Sequence, residues 1–445
     1  MESSTQYKGF KEILLESTPK NIPIYQNPPQ KRYFITIPLL ILCIIYGWHF
    51  FDIFSIKLHQ NASDHLGYYN YSLLHLFLFL FLSFPTMYLI EIDVSIALIL
   101  SCILEIISCY FSYLITYRIL IEFSVFTSII SMTLFFKSIG KICQLWHSGQ
   151  EKNLILFSLI SFIFFGAGIS FLTFNKRAIE WGKIKRISSI IKITSIIPCL
   201  GLLINPYPEK FVSNGQYERY KYKNDIINQI LPCLYLNWQK IISFSLIISS
   251  YVFLFLSHVD DQENMIRLPA FLIGYCFILS ILFIGLIYFN FKKNNDYNFI
   301  LKITLLSTIA LYIILFICIL IIRNNIFNLV PKFVMFIQFI MGLSMVLFII
   351  ISYDFLCDEG YPYGESVIIS ISEVIVCLIN LILLSIDYYF RTKVFFKNER
   401  FVEIIIFIIP FIFGAFLLLP SIEGIKINTS LADLNKLSIV EETNE

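Results

Sequence analysis

Charge is scarce in this chain. Only 14% of its 445 residues are Asp, Glu, Lys or Arg, where soluble domains carry about a quarter. That shortage excludes a soluble globular enzyme and a disordered chain. What charge there is nearly cancels, 33 basic against 31 acidic residues. No basic face for nucleic acid follows from such a balance. The ten cysteines are scattered, without a Cys-x-x-Cys pair, which excludes a small disulfide scaffold. The six histidines are dispersed as well, and no two share one helix at ligand spacing. No metal site and no cofactor are expected. Residues 1–33 are polar and hold Pro23, Pro28 and Pro29, so no cleavable signal peptide is expected there.

Apolar residues are abundant, at 57% of the chain. Twelve apolar segments can be counted, at approximately 34–56, 71–91, 95–116, 119–140, 153–174, 188–205, 240–257, 268–290, 299–322, 330–352, 366–390 and 401–420. A spanning helix needs about 20 such residues. β-Branched residues are common, yet a lone strand in lipid would leave its backbone unpaired, so helix is the reading at this length. The longest polar stretch between segments is Asn205 to Gln239. It predicts an N-terminal tail (1–33), a first six-helix half (34–205), a central linker (206–239), a second six-helix half (240–420) and a C-terminal tail (421–445). This six-plus-six layout is that of the major facilitator superfamily, whose halves are structural repeats meeting at a midplane cavity. The predicted fold class is an all-α polytopic membrane protein with 12 transmembrane helices.

Placing both termini in the cytosol puts 18 Lys and Arg inside and 15 outside. The bias is small, because Lys176, Arg177, Lys183, Lys185 and Arg186 fall in an outer loop. The sequons at Asn61 and Asn70 favour the same orientation, which exposes the first loop outside. Both tails and the central linker are therefore expected to be cytosolic.

Three stretches are more specific. Ser352 to Ser366 reads SYDFLCDEGYPYGES, Phe84 to Ala97 reads FPTMYLIEIDVSIA, and Lys141 to Glu151 reads KICQLWHSGQE. They resemble motifs of the heme and choline transporter family named after the feline leukaemia virus subgroup C receptor. In the first, Asp354, Asp358, Tyr361, Pro362 and Glu365 fall in register with the family pattern. In the second, Phe84, Pro85 and Leu89 match, with Tyr88 for Trp and Glu91 for Asp. In the third, Lys141, Trp146 and Glu151 match, with His147 for Phe. The resemblance covers about a tenth of the chain and implies a divergent member. It further implies that Trp48 and Tyr251 line the cavity. Family glutamines in the fifth and eleventh spans fall near Phe164 and Cys377 here, so both polar ligands are replaced.

Physical chemistry adds roles to these positions. Pro362 keeps Tyr361 out of the helical region and starts the eleventh span cleanly. Glu365 and Glu151 then stand in first helical turns, where the helix dipole favours a carboxylate. LWHSGQE and EGYPYGE read as pseudo-repeats, one per half. Together with Asp358, Tyr361, Pro362, Glu91 and Lys141 they are candidate gate residues; simple N-terminal capping is the plainer reading. Charges within spans are costly and mark function by default. Glu105 and Glu373 are the deepest, and with Trp48 and Tyr251 they make the candidate substrate site. An aromatic face attracts a quaternary ammonium by about 1–2 kcal/mol when desolvated. Asp52 and Asp387 lie nearer span ends, where they could reach headgroups.

These features predict a monomeric transporter in the plasma membrane or an organelle membrane. It would move a small organic solute, choline-like or another organic cation, by alternating access. Heme is the alternative cargo. A multispan enzyme is the other class, and for it the chain offers only His59 with Asp64 and His258 with Asp260 and Asp261.

Overall fold

A computed structural model describes residues 32–60, 65–114, 118–147, 149–174, 178–204, 206–207, 226–258, 301–307, 309–311, 313–314, 317, 348–349, 351–353, 355–356, 365–393, 406 and 408–418. Among them are eight long helices: α1 (Arg32–Gln60), α2 (His65–Ile92), α3 (Val94–Tyr113), α4 (Arg118–Trp146), α5 (Gly149–Phe174), α6 (Ala178–Leu203), α7 (Ile226–His258) and α8 (Glu365–Lys393). The first seven follow the first seven apolar segments, and α8 is the eleventh. α7 begins at Ile226, inside the stretch read as linker, because Leu231, Leu234, Tyr235 and Trp238 carry the apolar pattern back before residue 240.

Among the described residues, six stretches are long and apolar enough to cross a membrane: Arg32–His49, Leu73–Ile92, Val94–Tyr113, Ile119–Cys143, Lys185–Leu203 and Ser366–Tyr389. The chain is a multi-pass integral membrane protein. Its outward-facing side chains include Phe34, Phe81, Ile119 and Phe416, which water would penalise and lipid tails accept.

Two apolar clusters hold the helices. One joins α1 through α6 around Leu42, Tyr46, Leu98, Phe135 and Leu159. The other gathers α7, α8 and the described residues of 301–356 and 406–418 around Phe244, Phe348 and Phe411. Leu76 and Met87 of α2 and Val125 and Ile129 of α4 also belong to the second cluster. α2 and α4 are therefore the helices of the first half that lie against the second.

Among the described helices, α1 lies tightly on α5. A Cβ added to Gly47 would collide with the Ile163 carbonyl oxygen, and one added to Gly166 would collide with that of Ile44. Small residues permit such contact between spanning helices. Gly201 of α6 has nothing within 4 Å of its added Cβ. We expect Gly166→Ala to cost about 3 kcal/mol through overpacking against backbone and Gly201→Ala to cost nothing. Thermal unfolding in detergent checks the pair; equal midpoints would refute the close contact.

α3 and α4 run antiparallel with reciprocal serine pairs. The Ser101 and Ser131 hydroxyls each donate to the other's carbonyl, at 2.8 and 2.9 Å. Ser108 and Ser124 do the same at 2.6 and 2.8 Å. Hydroxyls that would be stranded in lipid thus bond across helices.

The turn between α2 and α3 is tied down. Asp93 caps α3 by accepting from the Ser95 amide at 2.8 Å and the Ile96 amide at 3.4 Å. The Tyr207 hydroxyl donates to Asp93 Oδ1 at 2.8 Å. Burial and that carboxylate hold the Tyr207 hydroxyl up at about 12, so it stays a donor at physiological pH. Trp146 Nε1 donates to the Pro206 carbonyl at 2.5 Å. That gives the tryptophan of the KICQLWHSGQE stretch a clamping part at the end of α4.

Candidate functional site

Where α2 and α4 end and α8 begins, three side chains meet. Lys141 Nζ lies 2.6 Å from Glu91 Oε2. Ser366, in the first turn of α8, donates its hydroxyl to Glu91 Oε1. Glu91 thereby bridges a helix of its own half to one of the other.

One to two turns deeper is a second rung. Lys137 is fully buried, and its ammonium lies 2.8 Å from Glu373 Oε2. The same ammonium meets the Ser83 carbonyl at 2.8 Å and the Ser83 and Thr86 hydroxyls at 3.0 Å. Ser83 Oγ also lies 3.0 Å from Glu373 Oε2 and 3.1 Å from the Ser370 carbonyl. Local sequence explains the crowding. Pro85 has no amide to offer α2's hydrogen-bond ladder, and Thr86 serves nearby carbonyls of Leu82 at 2.7 Å and Ser83 at 3.0 Å. Ser83, Lys137 and Glu373 thus bind α2, α4 and α8 together in one buried polar knot.

A separate ionic cluster lies within the first half, between α1, α5 and α6. Asp52 is buried and accepts from Lys192 Nζ at 2.5 Å, Ser170 at 2.6 Å and Ser188 at 3.2 Å. Lys185 Nζ donates to the Asp52 carbonyl at 2.8 Å. Lys192 Nζ also stands 4.7 Å from the centre of the Trp48 ring. Trp48 Nε1 is buried and has no hydrogen-bond partner among the described residues.

One turn along α1 from Asp52, His49 faces α3. Its Nε2 lies 2.9 Å from Ser108 Oγ. Glu105 and Cys109 of α3 bring their ligand atoms within 4.8 Å of one another and of the His49 ring. All three residues are buried.

Several expectations change here. Asp52 does not reach a headgroup; it is the acceptor of a buried lysine pair. Asp387 is buried as well, because the packing of α8 covers it. Lys185, counted in an outer loop, is 7% exposed and points inward. Lys137, at the end of the fourth apolar segment, is fully buried. Glu373 is not an open carboxylate, since Lys137 already answers it. Glu105 lies with His49 and Cys109, within reach of the charge of the same Lys192 that stands on Trp48. Phe164 packs against the first cluster and Cys377 within the second. Tyr251 is on α7, Glu151 in the first turn of α5 and Glu365 at the start of α8, but their side chains lie outside the described residues. Asp358, Tyr361 and Pro362 lie outside them altogether. Sequence reasoning missed Lys137, Lys185 and Lys192. The signal was there: lysines inside apolar helices, close to serines.

No protein-family model matches the sequence, and no curated protein matches it. Solved structures do match in shape. A variant of the E. coli fucose:proton symporter FucP is 10% identical, with TM-score 0.56 over 87% of this chain and 99% of that one. The human organic anion transporter MFSD10 is 12% identical, with TM-score 0.58 over 88% and 100%. A POT family transporter in complex with 5-aminolevulinic acid is 13% identical, with TM-score 0.59 over 90% and 99%. The chain has the all-α, polytopic fold of the major facilitator superfamily.

Proposed function

We propose that this chain is a transporter that moves a small organic solute across a membrane by alternating access. The observation that carries this is the two-rung lock between the halves, Glu91–Lys141–Ser366 and Ser83–Lys137–Glu373. Both rungs lie toward the end where α2 finishes and α8 starts, the end expected to face the cytosol. Charge pairs in apolar surroundings make and break as discrete events, which suits a gate with two states. Glu151, Glu365, Asp358, Tyr361 and Pro362 extend the same gate in this reading.

The cargo class we favour is an organic cation of the choline kind. Trp48 supports it, because its face already holds an ammonium, that of Lys192. A substrate cation would take that place when Lys192 swings off the ring. Tyr251 is proposed as the facing aromatic and Glu373 as a carboxylate exposed when the lock opens.

The test is saturable uptake of labelled choline by cells expressing the chain, normalised to protein at the membrane. Trp48→Ala is expected to weaken apparent affinity about tenfold, the equivalent of a desolvated cation–π contact. No uptake above background from correctly inserted protein would remove choline and leave the fold standing.

A further inference from the structure

We propose that His49, Glu105 and Cys109 form a binding site for one divalent transition-metal ion of the zinc class, inside the first half of the bundle. This is independent of the transport reading. Glu105 and Cys109 are four residues apart and share one face of α3, and His49 comes to them from α1. Their ligand atoms lie within 4.8 Å of one another. A tetrahedral zinc with bonds of about 2.0–2.3 Å draws such atoms together by roughly an ångström.

The hydrogen bonds prepare the histidine. Ser108 has one hydroxyl proton, and it goes to the Ser124 carbonyl at 2.6 Å. Ser108 Oγ can then only accept from His49, so Nε2 carries the ring proton. Nδ1 is left with a bare lone pair, buried and without a hydrogen-bond partner among the described residues. An outer hydrogen bond that fixes the ring and its tautomer is what metal-ligating histidines use. Both Glu105 carboxylate oxygens are buried; beside them stand the Ser131 hydroxyl, whose proton goes to the Ser101 carbonyl, and, acting by charge, the Lys192 ammonium. Acceptors converging with no donor between them are costly in an apolar interior, and a cation satisfies them together.

The donor set selects the ion. Thiolate, imidazole and carboxylate suit a borderline metal such as zinc rather than magnesium or calcium. Carboxylate and thiolate supply two negative charges against two positive, and each gives up any proton it carries when it ligates. Three protein ligands leave the fourth tetrahedral position open. The nearby cations are Lys192 and Lys185. Lys192 is paired with Asp52 and stacked on Trp48, and Lys185 is held by the Asp52 carbonyl.

The experiment uses the full chain purified in detergent without chelator. Bound zinc is counted by mass spectrometry, and cobalt is then exchanged in as a spectroscopic probe. We expect about one zinc per chain and a sulfur-to-cobalt charge-transfer band. The band should vanish in Cys109→Ser and persist in Cys102→Ser, which removes another buried thiol of α3. His49→Gln, a second variant that keeps a polar side chain beside Ser108, should lower bound zinc about tenfold or more. Wild-type protein without stoichiometric zinc and without the band overturns the site, as does a band that survives Cys109→Ser.

Discussion

Lys137→Met is expected to lower the stability of the folded protein by about 3–5 kcal/mol, the usual cost of breaking a buried ion pair. The reason lies in what the change leaves behind. Glu373 would keep its place on α8 with its partner ammonium gone, and the Ser83 carbonyl and the Thr86 hydroxyl would lose a donor. The double variant Lys137→Met with Glu373→Leu removes both charges, and apolar replacement of a whole pair is often neutral. It should therefore recover most of the loss. Thermal unfolding in detergent reads both. A wild-type midpoint in Lys137→Met would mean that Glu373 is not held by this lysine. The double variant separates stability from gating: it should fold well and yet transport poorly, because the second rung is gone.

Asp52→Asn should be as damaging, by about 3–5 kcal/mol, and for the opposite sign of charge. Two buried lysines lie against Asp52, Lys192 on its carboxylate and Lys185 on its carbonyl. Without the negative charge, Lys192 retains only a neutral amide oxygen and the weak attraction of the Trp48 face, the latter worth about 2 kcal/mol at most. Adding Lys192→Met to Asp52→Asn should restore part of the stability, since Lys185 still has its carbonyl acceptor. Failure of that rescue, with both variants equally unstable, would place the importance of Asp52 in its Ser170 and Ser188 contacts instead.

The helices were legible because each is a run of apolar residues near bilayer length, and lipid allows only one way to pair their backbones. Glu91 and Lys141 each stood out in its own stretch, but nothing in the sequence said that they pair with each other. The buried lysines did not stand out. Lys137 and Lys185 sit near the ends of apolar runs, where a count of loop charges assigns them to water. Their long apolar stems can lie in the bundle while the ammonium finds an oxygen on another helix. That choice depends on Asp52 and Glu373, which come from α1 and α8 and are far away in sequence. His49, Glu105 and Cys109 escaped for the same reason: spacing along one helix reveals only the α3 pair, and the third member arrives by packing. The Gly47 and Gly166 contact was visible only as two small residues in apolar spans, with nothing to say that they face each other.

The serine pairs of α3 and α4 carry a mechanical consequence. Ser101 and Ser108 are seven residues apart, as are Ser131 and Ser124, so the pairs act as teeth of a rack cut at one spacing. Sliding α3 along α4 would have to disengage every tooth before re-engaging about 10 Å further on, seven residues at 1.5 Å each. Small shear between these two helices is thereby forbidden. Any rearrangement of the molecule must carry them as a single beam, and the strain of that movement falls on the boundary where α2 and α4 face α8.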